Sequence, residues 1–166
     1  MAERPHIKDI HPVYSVTPSL VRIGAEPGVT VDIDNSDGLM LSFISLIDGT
    51  RTVSELVESV QQQFPNATEA DVIEGLETLT DLGFIEDAAH EPVGLTTSDL
   101  ERYSRNIAYF QHFASPEVSK YIFQKRLKDA RVCVFGLGGH GSSLVFQLAA
   151  LGVGHITAVD SDFLEL

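Results

Sequence analysis

The sequence predicts two modules of different class. The first is an α+β, winged-helix-like domain of three strands and three helices. The second is the first βαβ part of an α/β, Rossmann-like fold. Three observations predict this. Charge is split: of a net −13, residues 1–90 hold −12, with four basic side chains against 16 acidic ones, and residues 91–166 hold −1. Residues 29–34 alternate with period two, and three apolar helical stripes follow them. An apolar run at 132–135 leads into Gly136-Leu137-Gly138-Gly139-His140-Gly141-Ser142 and then into the apolar stretches 144–146 and 148–151. The expected boundaries are 1–87 for the first domain, 88–97 for a linker and 98–166 for the second.

In the first module, Val13-Tyr14-Ser15-Val16 and Leu20-Val21-Arg22-Ile23 have strand composition, and Glu26-Pro27-Gly28 marks a turn. Val29, Val31 and Ile33 then alternate with Thr30, Asp32 and Asp34, which predicts a third strand. Asn35-Ser36-Asp37-Gly38 breaks it. The almost wholly apolar run 39–47 predicts a deeply buried helix. Thr52 with Glu55 makes a capping box for a second, striped by Val53, Leu56, Val57 and Val60. Thr68 with Asp71 opens a third, and Gly83 suits its C-terminus. Phe84-Ile85 reads as a closing strand.

Residues 87–97 are small and polar, with Pro92 and Gly94, and read as the linker. Ser98 or Thr97 is expected to cap a helix running through Phe113, and Ser115-Pro116-Glu117 to restart one that ends near Asp129. A strand at 132–135, the glycine turn, a helix closed by Gly152-Val153-Gly154 and a second buried strand at 155–160 follow.

Strand, glycine turn and helix in this order aim bare backbone N–H groups and a helix N-terminus at an anion. Gly136, Gly138, Gly139 and Gly141 let the chain turn sharply and let a phosphate approach the backbone. Asp160 ends the second strand 19 residues after Gly141, where a carboxylate can hold ribose hydroxyls. The single cysteine, Cys133, reads as a small buried apolar residue; it can form neither an internal disulfide nor a thiolate cluster, and no metal site is expected. The N-terminus lacks an apolar signal core and no run is long enough for a membrane span, so a cytoplasmic protein without membrane contact is expected.

A winged helix ordinarily suggests nucleic acid. A module at −12 would repel phosphates, and the third helix bears Glu69, Asp71, Glu74, Glu77 and Asp81 with no Lys or Arg, so no nucleic-acid partner is expected. The acidic surface fits a basic peptide, and an alternating strand is a natural edge for peptide-strand addition.

Two resemblances sharpen this. The run LIDGTRTVSELVESVQQQF, with ADVIEGLETLTDLGFIED after it, resembles the PqqD-like recognition domains of ribosomal peptide natural-product pathways over residues 10–87. There a leader peptide docks as an added strand between the third strand and the third helix. The resemblance implies a peptide site at Val29, Thr30, Val31, Asp32, Ile33 and Asp34, and on the helix flank at Ile73, Glu77 and Thr80.

Arg102-Tyr103-Ser104-Arg105, residues 127–132, the glycine turn, Leu151-Gly152-Val153-Gly154 and Asp160-Ser161-Asp162 resemble the opening of ThiF/MoeB-type adenylyltransferases, relatives of ubiquitin-activating enzymes. That resemblance implies a homodimer, a phosphate cradle from Gly136 to Gly141, ribose contact by Asp160, and Arg105 reaching the ATP phosphates of a neighbouring subunit. The family's later lysine, magnesium-binding Asp and zinc cysteines are not in the sequence, which stops at Leu166. A truncated domain with no catalytic residue and no required cofactor is therefore expected here, with ATP and magnesium belonging to a longer chain. The two modules together resemble the leader-binding partners of azoline-forming and thiopeptide pathways. Such a protein would bind the precursor's leader and present it to a YcaO-type cyclodehydratase. The alternative is an ATP-dependent adenylyltransferase that activates a peptide or protein C-terminal carboxylate.

Overall fold

The computed structural model describes residues 1–25 and 27–162. They form two compact units, Met1–Glu91 with Gln111–Ser119, and Pro92–Phe110 with the chain from Lys120 onward. Residues 111–119, which the sequence assigns to the second module, therefore pack with the first.

In the first unit, β2 (Val13–Thr17), β3 (Leu20–Ile23) and β4 (Val31–Asp34) form an antiparallel sheet in the order β2-β3-β4. Helices α1 (Leu39–Leu46), α2 (Val53–Gln63) and α3 (Glu69–Asp81) follow. Both expected capping boxes form, Thr52 with Glu55 and Thr68 with Asp71. Two short strands add to the three expected. β1 (Pro5–Ile7) pairs antiparallel with β5 (Ile85–Asp87), the closing strand read at Phe84-Ile85. One side of each helix joins the core: Phe43 and Ile44 from α1, Leu56 and Val60 from α2, Leu76 and Leu79 from α3, against Val21, Ile23 and Phe84. The run 39–47 is less buried than its composition predicts, since Leu41 lies on the exposed side.

The strand expected at 29–34 begins two residues later. Gly28 turns the chain with φ +85°, and Val29 lies exposed in that turn. The Val29 carbonyl lies 3.1 Å from where a Cβ on Gly24 would stand, so this backbone packs on the end of β3 instead of pairing with it. Glu26 of the expected turn lies outside the described residues.

In the second unit, the first cap is Thr96, whose hydroxyl accepts from Asp99 N–H at 3.2 Å; Thr97 and Ser98 are already helical. The single helix expected to reach Phe113 is instead α4 (Thr97–Arg102) and α5 (Ser104–Phe110), followed by a 3-10 turn at Gln111–Phe113 that belongs to the first unit. α6 (Lys120–Asp129) starts five residues after Ser115, whose hydroxyl accepts the Glu117 and Val118 amides and closes a local turn. β6 (Arg131–Phe135), α7 (Gly139–Leu151) and β7 (His155–Val159) form a parallel βαβ unit. β7 and Cys133 are exposed, not buried as the sequence suggested. A parallel pair needs cover on both faces, and large apolar side chains here stay open: Phe135 is 79% and Phe146 76% exposed.

Candidate functional site: a sheet edge and a glycine turn

β4 is an edge strand, hydrogen-bonded only to β3 within its sheet. The register decides which backbone groups are spare. Asn35 N–H donates to Ser19 at 2.9 Å, and Val21 faces Ile33 and Ile23 faces Val31. Hydrogen-bonded pairs alternate with non-bonded ones in an antiparallel ladder. The backbone groups of Asp32 and Asp34 therefore point to the open edge. Val31 and Ile33 pack against the core, while Asp32 and Asp34 are exposed. Arg22 grips Asp32 from the neighbouring strand through Nε at 2.5 Å and Nη2 at 2.7 Å. The Arg22 hydrogen bonds hold the Asp32 carboxyl below its ordinary pKa, so it is ionised but engaged. Asp34 accepts the Ser36 hydroxyl at 2.7 Å.

The other peptide-site residues lie on α3. Ile73 and Thr80 are half-buried and Glu77 is exposed. Glu77 and Thr80 share a shallow concavity of about 250 Å³ with Met1 and Asp81. The Thr80 hydroxyl donates to Leu76 C=O at 2.8 Å and is already committed. The chief packing partner of β4 is β3, whereas α3 packs on α2 and β5.

Sequence reasoning missed two features here. The buried Asn35 donates to Pro18 C=O at 3.3 Å and accepts Leu41 N–H at 2.9 Å, fixing the end of β4 to α1. A cleft of about 460 Å³ lies among the three helices, lined by Met40, Phe43, Phe64 and Val72 with Asp37 and Asp71. The Asn35-Ser36-Asp37-Gly38 break after the strand is legible in sequence, but the anchoring role of Asn35 is not.

The glycine turn is built as the spacing suggests. Gly136, at φ +88°, donates its N–H to Val159 C=O at 2.7 Å. A Cβ on Gly141 would stand 1.7 Å from Gly136 C=O, so only glycine lets α7 approach the turn. Gly138 caps α7 without a side-chain hydrogen bond, and no acidic residue stands in the first helical turn. Among the described residues, nothing lies within 4 Å of a Cβ built on Gly138 or Gly139. That open face fits close approach of a nucleotide's phosphates to the backbone. Asp160 accepts the N–H groups of Asp162, at 2.8 Å, and of Leu137, and these bonds hold its carboxyl below the ordinary pKa. It is exposed and ionised, with lone pairs left for hydroxyl donors. Arg105 is exposed on α5 and makes no hydrogen bond or ion pair among the described residues. The structure thus joins Asp160 to the glycine turn and leaves Arg105 unattached to it.

Residues 103–166 match the ThiF family. This part, 64 of the 166 residues, is ThiF-like, in a mixed α/β protein with several small sheets. A probable molybdopterin-synthase adenylyltransferase of Porphyra purpurea is 39% identical over 71 residues, 43% of this chain and 18% of that protein. Crystalline PaaA has the same fold, with a TM-score of 0.70 and 24% identity over 96% of this chain and 47% of its own. So does E. coli MccB, crystallised with AMPCPP and MccA, with a TM-score of 0.68 and 22% identity over 97% of this chain and 43% of its own. The chain spans less than half the length of each. No helix among the described residues is long and apolar enough to cross a membrane.

Proposed function

We propose that this protein binds the leader region of a ribosomally made precursor peptide and presents it to a YcaO-type cyclodehydratase in azoline, thiopeptide-like biosynthesis. The carrying observation is the β4 edge, whose spare backbone groups at Asp32 and Asp34 stand in a strongly acidic unit. A basic, extended peptide adding there would gain main-chain hydrogen bonds, and its register would set which side chains face the unit. The PqqD-like reading of residues 10–87 supports this. The cleft beside Asp37 and Asp71 would take an apolar side chain next to a basic one. A homodimer would form through the ThiF-like part, as the ThiF/MoeB resemblance implies.

A second reading is favoured by one observation, the open face of Gly138 and Gly139 above an ionised Asp160. It is an ATP-dependent adenylyltransferase acting on a peptide or protein C-terminal carboxylate. The adenylyltransferase relative and the likeness to a protein crystallised with AMPCPP support it. Here the backbone from Gly136 to Gly141 would hold the phosphates and Asp160 the ribose.

Titration of a fluorescent basic leader peptide tests the first reading. A dissociation constant weaker than about 1 mM, about 4 kcal/mol of binding, would remove it. Precursor-dependent ATP–pyrophosphate exchange by the chain would favour the second reading over simple presentation.

A further inference from the structure

Away from both sites, four polar side chains meet where β1, β5 and the 3-10 turn come together inside the first unit. His6 Nδ1 stands 3.2 Å from Glu86 Oε1, and His6 Nε2 stands 3.6 Å from Asp9 Oδ1. One donor atom from each of His6, Asp9 and Glu86 can be chosen so that all lie within 4.8 Å of one another. Gln111, 2% exposed, directs its amide into this group: Nε2 donates to Asp9 Oδ2 at 3.0 Å and to Glu86 Oε1 at 2.9 Å. Its Oε1 is buried with no hydrogen-bond partner among the described residues.

An orphaned buried carbonyl is unusual, and the arrangement gives it a use. The Gln111 NH₂ bridges two carboxylates that would otherwise repel each other, the place a cation would take. Turning the amide over by 180° brings Oε1 to that position. We propose that His6, Asp9, Glu86 and the turned Gln111 amide form a divalent-cation site. One imidazole with three oxygen donors suits a first-row transition ion such as Zn²⁺ better than Mg²⁺ or Ca²⁺. The 3.2 Å between His6 Nδ1 and Glu86 Oε1 fits two neighbouring ligands each about 2.1 Å from one ion. Asp9 is exposed, so its carboxylate can swing inward without disturbing the core. Lys8, 3% exposed, is a positive charge that acts on Glu86 from β1's end of the cluster. The bound ion would clamp the chain start, β5 and the 111–119 segment together.

Calorimetric titration of Zn²⁺ into the chelator-stripped chain, with Co²⁺ absorption as a second readout, tests this. One equivalent should bind with a dissociation constant below about 10 µM, and saturation should raise the melting temperature by about 4 °C or more. The exposed-residue change Asp9→Asn, chosen because it spares the core, should weaken binding about tenfold, and so should His6→Gln. Gln111→Glu places an oxygen at the centre in either orientation, so it should tighten binding about tenfold and make folding depend on the ion. Absent binding at about 100 µM Zn²⁺, or affinity that all three changes leave unaltered, overturns the proposal. So does a melting temperature that follows pH through His6 but ignores the ion.

Discussion

Asp160, just past the end of β7, accepts the backbone N–H of Leu137 inside the glycine turn. The residue expected to hold a ribose thus also fixes the loop expected to hold phosphates. Asp160→Asn keeps the shape but removes the charge and one acceptor. Under the nucleotide reading, affinity for a fluorescent ATP analogue should fall about tenfold or more. Leu137 amide exchange should quicken as well, a loop effect that loss of ribose contact alone would not give. Unaltered affinity with quickened exchange would leave Asp160 a loop tie only.

Two glycines of the same turn should separate packing from binding. A methyl group on Gly141 meets Gly136 C=O, while one on Gly139 meets no described residue within 4 Å. Gly141→Ala should cost about 1–3 kcal/mol in chemical denaturation as the turn is forced from α7. Gly139→Ala should leave stability within about 0.5 kcal/mol. It should nonetheless weaken analogue binding, because the methyl stands where a phosphate would approach. Equal stability losses would contradict the open cradle.

The sequence made local features legible and hid non-local ones. The Thr-x-x-Glu and Thr-x-x-Asp boxes of α2 and α3 close within one helical turn, so residue order alone reveals them. The alternation through Ile33 identified β4, but Val29 and Thr30 were drawn in because a turn and a strand share their composition. β1 is three residues, Pro-His-Ile, and pairs with β5, some 80 residues away, and with the turn at Ile47–Gly49. The meeting of His6, Asp9, Glu86 and Gln111 depends on that pairing and on the 3-10 turn. For the glycine turn, spacing revealed the backbone path; the Asp160 acceptor role appeared only once β7 lay parallel to β6.

Lys128 donates to Asp99 at 2.5 Å, tying α6 to the start of α4. That bond, then those from Thr96, pulls the Asp99 pKa down to about 2. A carboxylate depressed in the folded state stabilises the fold above its unfolded pKa, near 3.9, and loses that contribution as pH falls through the folded value. The tether should therefore hold from neutral pH to about 4 and fail progressively towards 2. Carboxyl chemical shifts of Asp99 should titrate near 2, returning towards the ordinary value in Lys128→Met. A midpoint near 4 in the parent chain would show the pair to be unimportant.

The β4 edge permits a backbone test of peptide binding. Register places the Asp32 N–H on the open side, where proline is tolerated because no ladder bond is lost. Asp32→Pro should leave the chain folded yet lower leader-peptide affinity about tenfold or more, since it deletes a donor to the added strand. Asp32→Asn keeps that donor while loosening the grip of Arg22, and should bind within about threefold of the parent. The acidic unit adds a second signature: raising salt from about 0.05 M to 0.5 M should weaken a basic peptide and leave a neutral one unaltered. Equal losses for Asp32→Pro and Asp32→Asn would move the site from the strand edge to the side-chain face. Salt dependence surviving in Asp32→Pro would then mark acidic surface that attracts the peptide without choosing its register.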